Sequence, residues 1–457
     1  MSYKPDPTKN VNLTIDGIPV TVPEGTRILE AAKKVNINIP VLCEHPDLCR
    51  RAWCRLCSVE CDGRGKLVVA CANDVWEGVK VVTKNERLFY IRKTILELIL
   101  ANHPQDCLKC IRSKNCELQT LASEYGLSAS SFENEAGVHK PIIENDAIVR
   151  DMDKCVKCGR CVIVCQDVQT IGAINTSYRS HEFEVSTAYK QTLDDCSCVF
   201  CGGCSKVCPV GAIYEHDQTD KVWKALGSKN TKSIAQVSVS VIDALEKEMS
   251  LEAGSITIGK LAAAVKMLGF DKVCDDSIST DTAASMITEE INSRKSAGGK
   301  KLPLISGCSE GANRFVKSFY PDLADHLTTA KTPRKIFADT MKNCCAKELN
   351  ADASKVTSVS FVSSFSQKFT SNPADTDFAL GVGELARMLK LAGIMIENLP
   401  EEQFFTCSQG APKPDNSGIK KETVKGYAKA RQVMEAIRKG ECKADWVEIF
   451  SKPEKVD

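Results

Sequence analysis

At 457 residues the chain exceeds one average hydrophobic core, and two to four domains are expected. Its 60 Lys plus Arg face 59 Asp plus Glu, a formal net charge of +1 that gives no reason to expect a nucleic-acid-binding or membrane-surface field. The amino-terminal MSYKPDPTKNVNLTIDG lacks an apolar run of the signal-peptide kind, and no stretch of about 18 apolar residues suggests a membrane span. Of the 24 cysteines, 18 fall in the first 208 residues and six in the remaining 249. Without an export signal, Cys-x-x-Cys spacings favour metal over disulfides, and the expected setting is reducing cytoplasm.

In chain order, VNLTIDGIPVTV alternates apolar and polar residues around Asp16-Gly17, which predicts a two-stranded hairpin. TRILEAAKKVN follows with helical periodicity and Thr26 as its N-cap. These elements and a cysteine loop predict a small mixed α/β domain over residues 1–82. From Asn85, NERLFYIRKTILELILANH reads as an amphipathic helix leading into a second cysteine motif, and 83–122 forms a helical segment with one histidine and three cysteines. Residues 123–150 are polar and read as a linker within a third segment, 123–220, whose two Cys-rich runs repeat one pattern. Beyond residue 221, SIAQVSVSV, DKVCD, LPLIS, VTSVSFV and TDFAL read as buried strands. They alternate with helical stretches such as GKLAAAVKML and GELARMLKLAG, which predicts an open, largely parallel α/β domain over 221–457. The Pro/Gly/Ser-rich SQGAPKPDNSGIKKETVKG is expected to be a surface loop.

Four motifs carry the chemistry. Cys43, Cys54, Cys57 and Cys71 stand at C-x10-C-x2-C-x13-C, a spacing that suits a binuclear iron–sulfur cluster, although a structural zinc site uses the same residue types. Cys49 and Cys61 lie off that pattern and are expected to be spectators. His103, Cys107, Cys110 and Cys116 stand at H-x3-C-x2-C-x5-C. Three thiolates and an imidazole can complete a cubane cluster, and a neutral ligand in place of a thiolate should raise its potential. The plainer alternative is a His that caps the preceding helix beside three cysteines that bind zinc. CVKCGRCVIVC and CVFCGGCSKVCP each give C-x2-C-x2-C-x3-C, the bacterial ferredoxin run in which the fourth cysteine ligates the other cluster. Cys155, Cys158, Cys161 and Cys208 are thus expected to hold one [4Fe-4S] cluster, and Cys198, Cys201, Cys204 and Cys165 another. Cys196 is expected to be a bystander. One [2Fe-2S] and three [4Fe-4S] sites on one polypeptide describe an electron relay.

In this order the motifs resemble the iron–iron hydrogenase family, whose amino-terminal modules are shared with the large iron–sulfur subunit of respiratory complex I. The carboxyl half carries the resemblance in RFVKSFYPDL, in GELARMLKLAGIMIENLPEEQF and in YAKARQVMEAIRKGECKADWVEI. The resemblance implies multidomain α+β and α/β architecture: a β-grasp [2Fe-2S] domain, a helical segment whose histidine and three cysteines hold a cluster, a two-[4Fe-4S] ferredoxin domain and a degenerate hydrogenase large domain. In that family the hydrogen site hangs from four cysteines. In place of T-S-C-C-P this chain has Ser306-Gly307-Cys308-Ser309-Glu310, with Ser309 at the ligand position and Cys308 at the one associated with proton delivery. In place of M-P-C-x-x-K-x-x-E it has Ser364, Gln367 and Thr370 where the family has Cys, Lys and Glu. Lys452 stands at the first position of the C-P-G-G-C segment. Most of the family's Gly-rich segment between LPEEQF and VKGYAKAR is also missing. Serine oxygen is hard and mostly protonated at neutral pH, a poor substitute for thiolate. Cys274, Cys308, Cys344, Cys345, Cys407 and Cys442 contain no Cys-x-x-Cys pair and are not expected to build a replacement.

The resemblance therefore implies a hydrogenase frame without the H-cluster or catalytic residues of its own. It would serve as the iron–sulfur subunit of a cytoplasmic, flavin-based, electron-bifurcating complex linking NAD(H), ferredoxin and NADP(H). The absence of a G-x-G-x-x-G stretch puts flavin and nicotinamide on other subunits. Expected partners are a flavin-containing NADH-oxidising subunit, an NADP- or ferredoxin-linked subunit and ferredoxin itself, in a hetero-oligomer. The alternatives are a complex I-type NADH dehydrogenase subunit, a non-enzymatic hydrogenase-like cluster-assembly protein and a true hydrogenase.

Overall fold

The computed structural model describes residues 5–49, 51–62, 67–132, 141–145, 147–299, 301–307, 309–368, 377–405, 414 and 417–452. They form two compact units. One comprises residues 1–143, 149–192 and 203–214, the other residues 144–148, 193–202 and 215–457.

The first unit opens with the expected hairpin. Strands Asn10–Ile15 and Ile18–Pro23 pair antiparallel, and Asp16 (φ 50°) and Gly17 (φ 83°) supply the left-handed turn that matches strand twist. Lys80–Val82 runs parallel to the first strand, and Ser58–Cys61 and Leu67–Val69 complete a five-stranded mixed sheet. The helix Ile28–Lys34 buries Ile28, Leu29, Ala31 and Ala32 in the sheet's core. Its N-cap is Arg27 rather than Thr26: Thr26 donates its hydroxyl to the Pro23 carbonyl, while Glu30 accepts from the Arg27 amide. Asn85 does cap the next helix, Glu86–Ala101, by accepting from Leu88 N at 2.8 Å. Asn85→Ala should cost about 1 kcal/mol of stability in a denaturant titration.

A second apolar core in this unit gathers Leu42, Leu56, Leu96, Leu100, Leu118 and Val210, with Cys54, Cys116, Cys155 and Cys208 packed against it. Three of the four cysteine sets thus border one hydrophobic body. The described part of the segment read as a linker, residues 123–132, 141–145 and 147–150, contains regular structure. The helix Glu117–Glu124 reaches into it, and Ile142–Ile143 and Ile148–Arg150 pair antiparallel within it.

The second unit contains two all-parallel sheets. One has the order Lys272–Asp275, Lys232–Val237, Val356–Val362, Phe378–Gly381. The other has Leu304–Gly307, Trp446–Phe450, Lys421–Lys425. The middle strands of the first sheet are buried on both faces, as parallel strands covered by helices must be. Lys421–Lys425 corrects part of the expected surface loop; it is a largely exposed edge strand, whereas most of 408–416 lies outside the described residues. A buried ion pair ties the unit together. Lys368, 1 % exposed, meets Glu384 at 2.5 Å, and Glu384 also accepts from the amides of Gln218 and Gly381. Among the described residues no helix is long and apolar enough to cross a membrane.

Candidate metal centres

The C-x10-C-x2-C-x13-C set converges. The thiols of Cys54 and Cys71 both hydrogen-bond to Cys43, and Cys71 also meets Cys57. Those contacts hold Cys43 well below the ordinary thiol range, since two neighbours donate to its sulfur. Cys57 precedes strand Ser58–Cys61, and Cys71 is two residues past strand Leu67–Val69, so the sheet fixes both. Of the two expected spectators, Cys49 is exposed and Cys61 is buried in the sheet core.

His103, Cys107, Cys110 and Cys116 line one pocket with Arg112, Lys154 and Gly211. His103 follows the helix Glu86–Ala101 and is 8 % exposed; burial holds its ring below the usual histidine range, and its Nδ1 has no hydrogen-bond partner. A buried, neutral imidazole with an orphaned nitrogen beside three thiols is what a metal ligand requires.

Cys155, Cys158, Cys161 and Cys208 form the third group. Burial pushes Cys155 up to about 11 and Cys158 to about 12, and Cys161 rises further under burial and the charges of Cys155, Cys158, Cys204 and Cys208. Thiols raised in this way ionise only beside a compensating cation, which iron would supply. Gly159, at φ +77°, lets the chain turn between Cys158 and Cys161, and a Cβ there would fall inside the Trp53 ring. Gly159→Ala should therefore lower iron retained by the purified chain, about four atoms if one cubane is lost.

The fourth group divides between the two units. In the first, Cys204 lies on the helix Gly203–Lys206 and Cys165 in the turn Val164–Val168. In the second, Cys198 accepts from the amide of Phe200 at 3.4 Å, and Arg314 anchors its loop. The Arg314 guanidinium donates to the carbonyls of Asp194, Cys196 and Cys198 at 2.8–3.0 Å. Sequence spacing did not single out Arg314, although it sits in the RFVKSFYPDL stretch. Cys196 donates to the Leu193 carbonyl, in keeping with a bystander. Among the described residues, no group of three or more His, Cys, Asp or Glu side chains is drawn up as a metal-ion site.

In the second unit, a cavity of about 320 Å³ is lined by Ser306, Ser309, Ser363 and Gln367 among others. Hydroxyls in and around it are engaged with one another. Ser309 meets Ser451 at 3.2 Å, Ser451 meets Tyr427 at 2.8 Å, Ser364 meets Ser366 at 2.9 Å, and Ser306 accepts from the Trp446 indole at 2.7 Å. Cys308 and Thr370 lie outside the described residues. Cys274 and Cys345 are buried with their thiols hydrogen-bonded to each other, packed as small apolar groups. Cys344 is disulfide-bonded, which the reducing setting expected from the sequence does not predict.

Fold and cysteine sets together define a modular iron–sulfur protein with a hydrogenase-type α/β domain. Family models agree in order. Residues 8–86 match a 2Fe-2S iron-sulfur cluster binding domain, and 92–131 the NADH-ubiquinone oxidoreductase-G iron-sulfur binding region. Residues 145–214 match the ferredoxin-like domain of NADH-quinone oxidoreductase subunit 3, and 231–418 the C-terminal domain of the iron only hydrogenase large subunit. The NADP-reducing hydrogenase subunit HndD of Solidesulfovibrio fructosivorans is 36% identical over 417 residues, covering 86% of this chain and 70% of that protein. Iron hydrogenase 1 of Clostridium pasteurianum is 27% identical, with the same coverages. The NADPH-Fe(3+) oxidoreductase alpha subunit of Geobacter sulfurreducens is 37% identical over 205 residues, 44% of this chain and 24% of that one. The chain belongs to the iron-only hydrogenase large-subunit family.

Proposed function

We propose that the chain is the electron-transfer subunit of a flavin-based, electron-bifurcating complex that links NAD(H), ferredoxin and NADP(H), without hydrogenase activity of its own. The observation that carries this reading is the contrast between the two units. Thiols converge in the first, whereas the second has mutually hydrogen-bonded serines at Ser309 and Ser364, where the family has cysteine ligands. A hydroxyl satisfied by another hydroxyl stays neutral and offers iron little. The relatives named for NADP and NADPH support the nicotinamide link.

In this reading Cys43, Cys54, Cys57 and Cys71 hold a [2Fe-2S] cluster. His103, Cys107, Cys110 and Cys116 hold a [4Fe-4S] cluster, as do Cys155, Cys158, Cys161 and Cys208, and Cys198, Cys201, Cys204 and Cys165. Segments 1–82, 83–122, 123–220 and 221–457 are the corresponding modules. Bound clusters supply one-electron transfer. The chain's own part is to fix the ligands, exclude water with the Leu42–Leu96–Leu118 core, and keep His103 neutral.

The test is purification of the native complex. Flavin-bearing partner subunits, reduction of ferredoxin coupled to NAD(P)H oxidation and no hydrogen evolution are expected. Co-purification with membrane subunits would favour a complex I-type assignment, and hydrogen evolution would refute the proposal.

A further inference from the structure

Arg160 lies between Cys158 and Cys161 in sequence and is 4 % exposed. Its guanidinium makes a two-pronged pair with Glu117, Nη1 to Oε1 at 2.6 Å and Nη2 to Oε2 at 2.7 Å. Glu117 directly follows Cys116, so the pair joins the His103–Cys116 segment to the Cys155–Cys161 loop. The chain neighbour of Arg160, Gly159, lies against the ring of Trp53, the residue before Cys54, so the loop also meets the segment that carries Cys43 and Cys54. One buried cation thus stands among residues of three of the proposed cluster sets. Of the donors that Glu117 does not take, Nε is buried and has no hydrogen-bond partner. A guanidinium has five N–H donors and no acceptor, and leaving one unpaired in a dry site is costly unless an acceptor arrives with a ligand.

We infer that Arg160 is a potential-setting residue: its buried charge and free Nε–H stabilise the reduced forms of the clusters held by Cys158 and Cys43, the first more strongly. This rests on the ligand assignment above. A cluster gains one negative charge on reduction, so a fixed cation and an N–H donor toward its sulfur both raise its potential. Glu117, with a side chain 46% exposed, partly offsets that charge.

The two members of the pair make opposite predictions, which a purely structural ion pair would not. In the full chain, loaded with iron and sulfide, potentials are read by redox titration followed by electron paramagnetic resonance. Arg160→Gln should lower the Cys158-held cluster by about tenfold in its reduction equilibrium, about 59 mV for a one-electron couple. The Cys43-held cluster should fall by less. Arg160→Lys, keeping the charge but not the planar donor, should fall between wild type and Arg160→Gln. Glu117→Gln, which unmasks the cation, should raise both potentials. Iron content and signal shape show whether each variant is loaded. A wild-type chain that binds no clusters sinks the ligand assignment and this inference with it. Loaded variants whose potentials stay put, or all move one way, sink the inference alone. If Arg160→Gln does not load, the opposite shifts of Arg160→Lys and Glu117→Gln still decide.

Discussion

Cys158→Ala is expected to strip one complete cubane from the chain, lowering bound iron from about fourteen atoms to about ten. Cys158 and Cys161 are buried, and Cys155 and Cys208 pack against the Leu42–Leu96–Leu118 core of the same unit. Electron passage from a reduced nicotinamide to a terminal acceptor should stop, because a relay fails at its missing member. The checks are iron and sulfide analysis and the loss of one cubane's paramagnetic signal. If Cys158 were a packing residue, the substitution would leave iron unchanged and cost only the small cavity of a truncated thiol. The paired control is Cys49→Ala at an exposed position off the motif, which should retain all its iron.

Lys368→Met carries the second large effect, on stability. It leaves the Glu384 carboxylate, 5 % exposed, without its cation. Removing one partner of a buried pair costs about 3–5 kcal/mol, because the remaining charge is neither solvated nor matched. Denaturant unfolding of the loaded chain should show that loss while iron content is unchanged, since Lys368 lies outside every proposed ligand set. Lys368→Met combined with Glu384→Leu should recover part of it. Recovery should be incomplete because Glu384 also satisfies the amides of Gln218 and Gly381.

How much of this was legible beforehand depended on the range of the interactions. The hairpin around Asp16-Gly17 and the helix that begins after Asn85 are local, and the structure has them where the sequence places them. The parallel strands from Lys232 to Gly381 were readable because short runs rich in β-branched residues alternate there with helical stretches. Thr26 failed as a cap because its hydroxyl found the Pro23 carbonyl first, a turn preference competing with the helix start. Lys421–Lys425 was hidden by its polar composition; only its pairing with Trp446–Phe450 makes it a strand. Glu384 left a faint signal, since a glutamate three residues after Gly381 suits a capping box, but its meeting with Lys368 belongs to tertiary structure. Arg160 and Arg314 were invisible for the same reason: spacing names ligands, while the residues that anchor or surround them are found only in three dimensions.

Everything proposed for this chain requires iron in the amino-terminal modules and none in the hydrogenase-type domain. Mössbauer spectroscopy of the full chain, loaded anaerobically with 57Fe, separates the two cases. About fourteen irons per chain are expected, divided between one binuclear and three cubane environments, one of these with a distinct histidine-bound iron. A further cubane, or low-spin iron of the kind bearing carbon monoxide and cyanide, would place a metal centre in the carboxyl-terminal domain and contradict it.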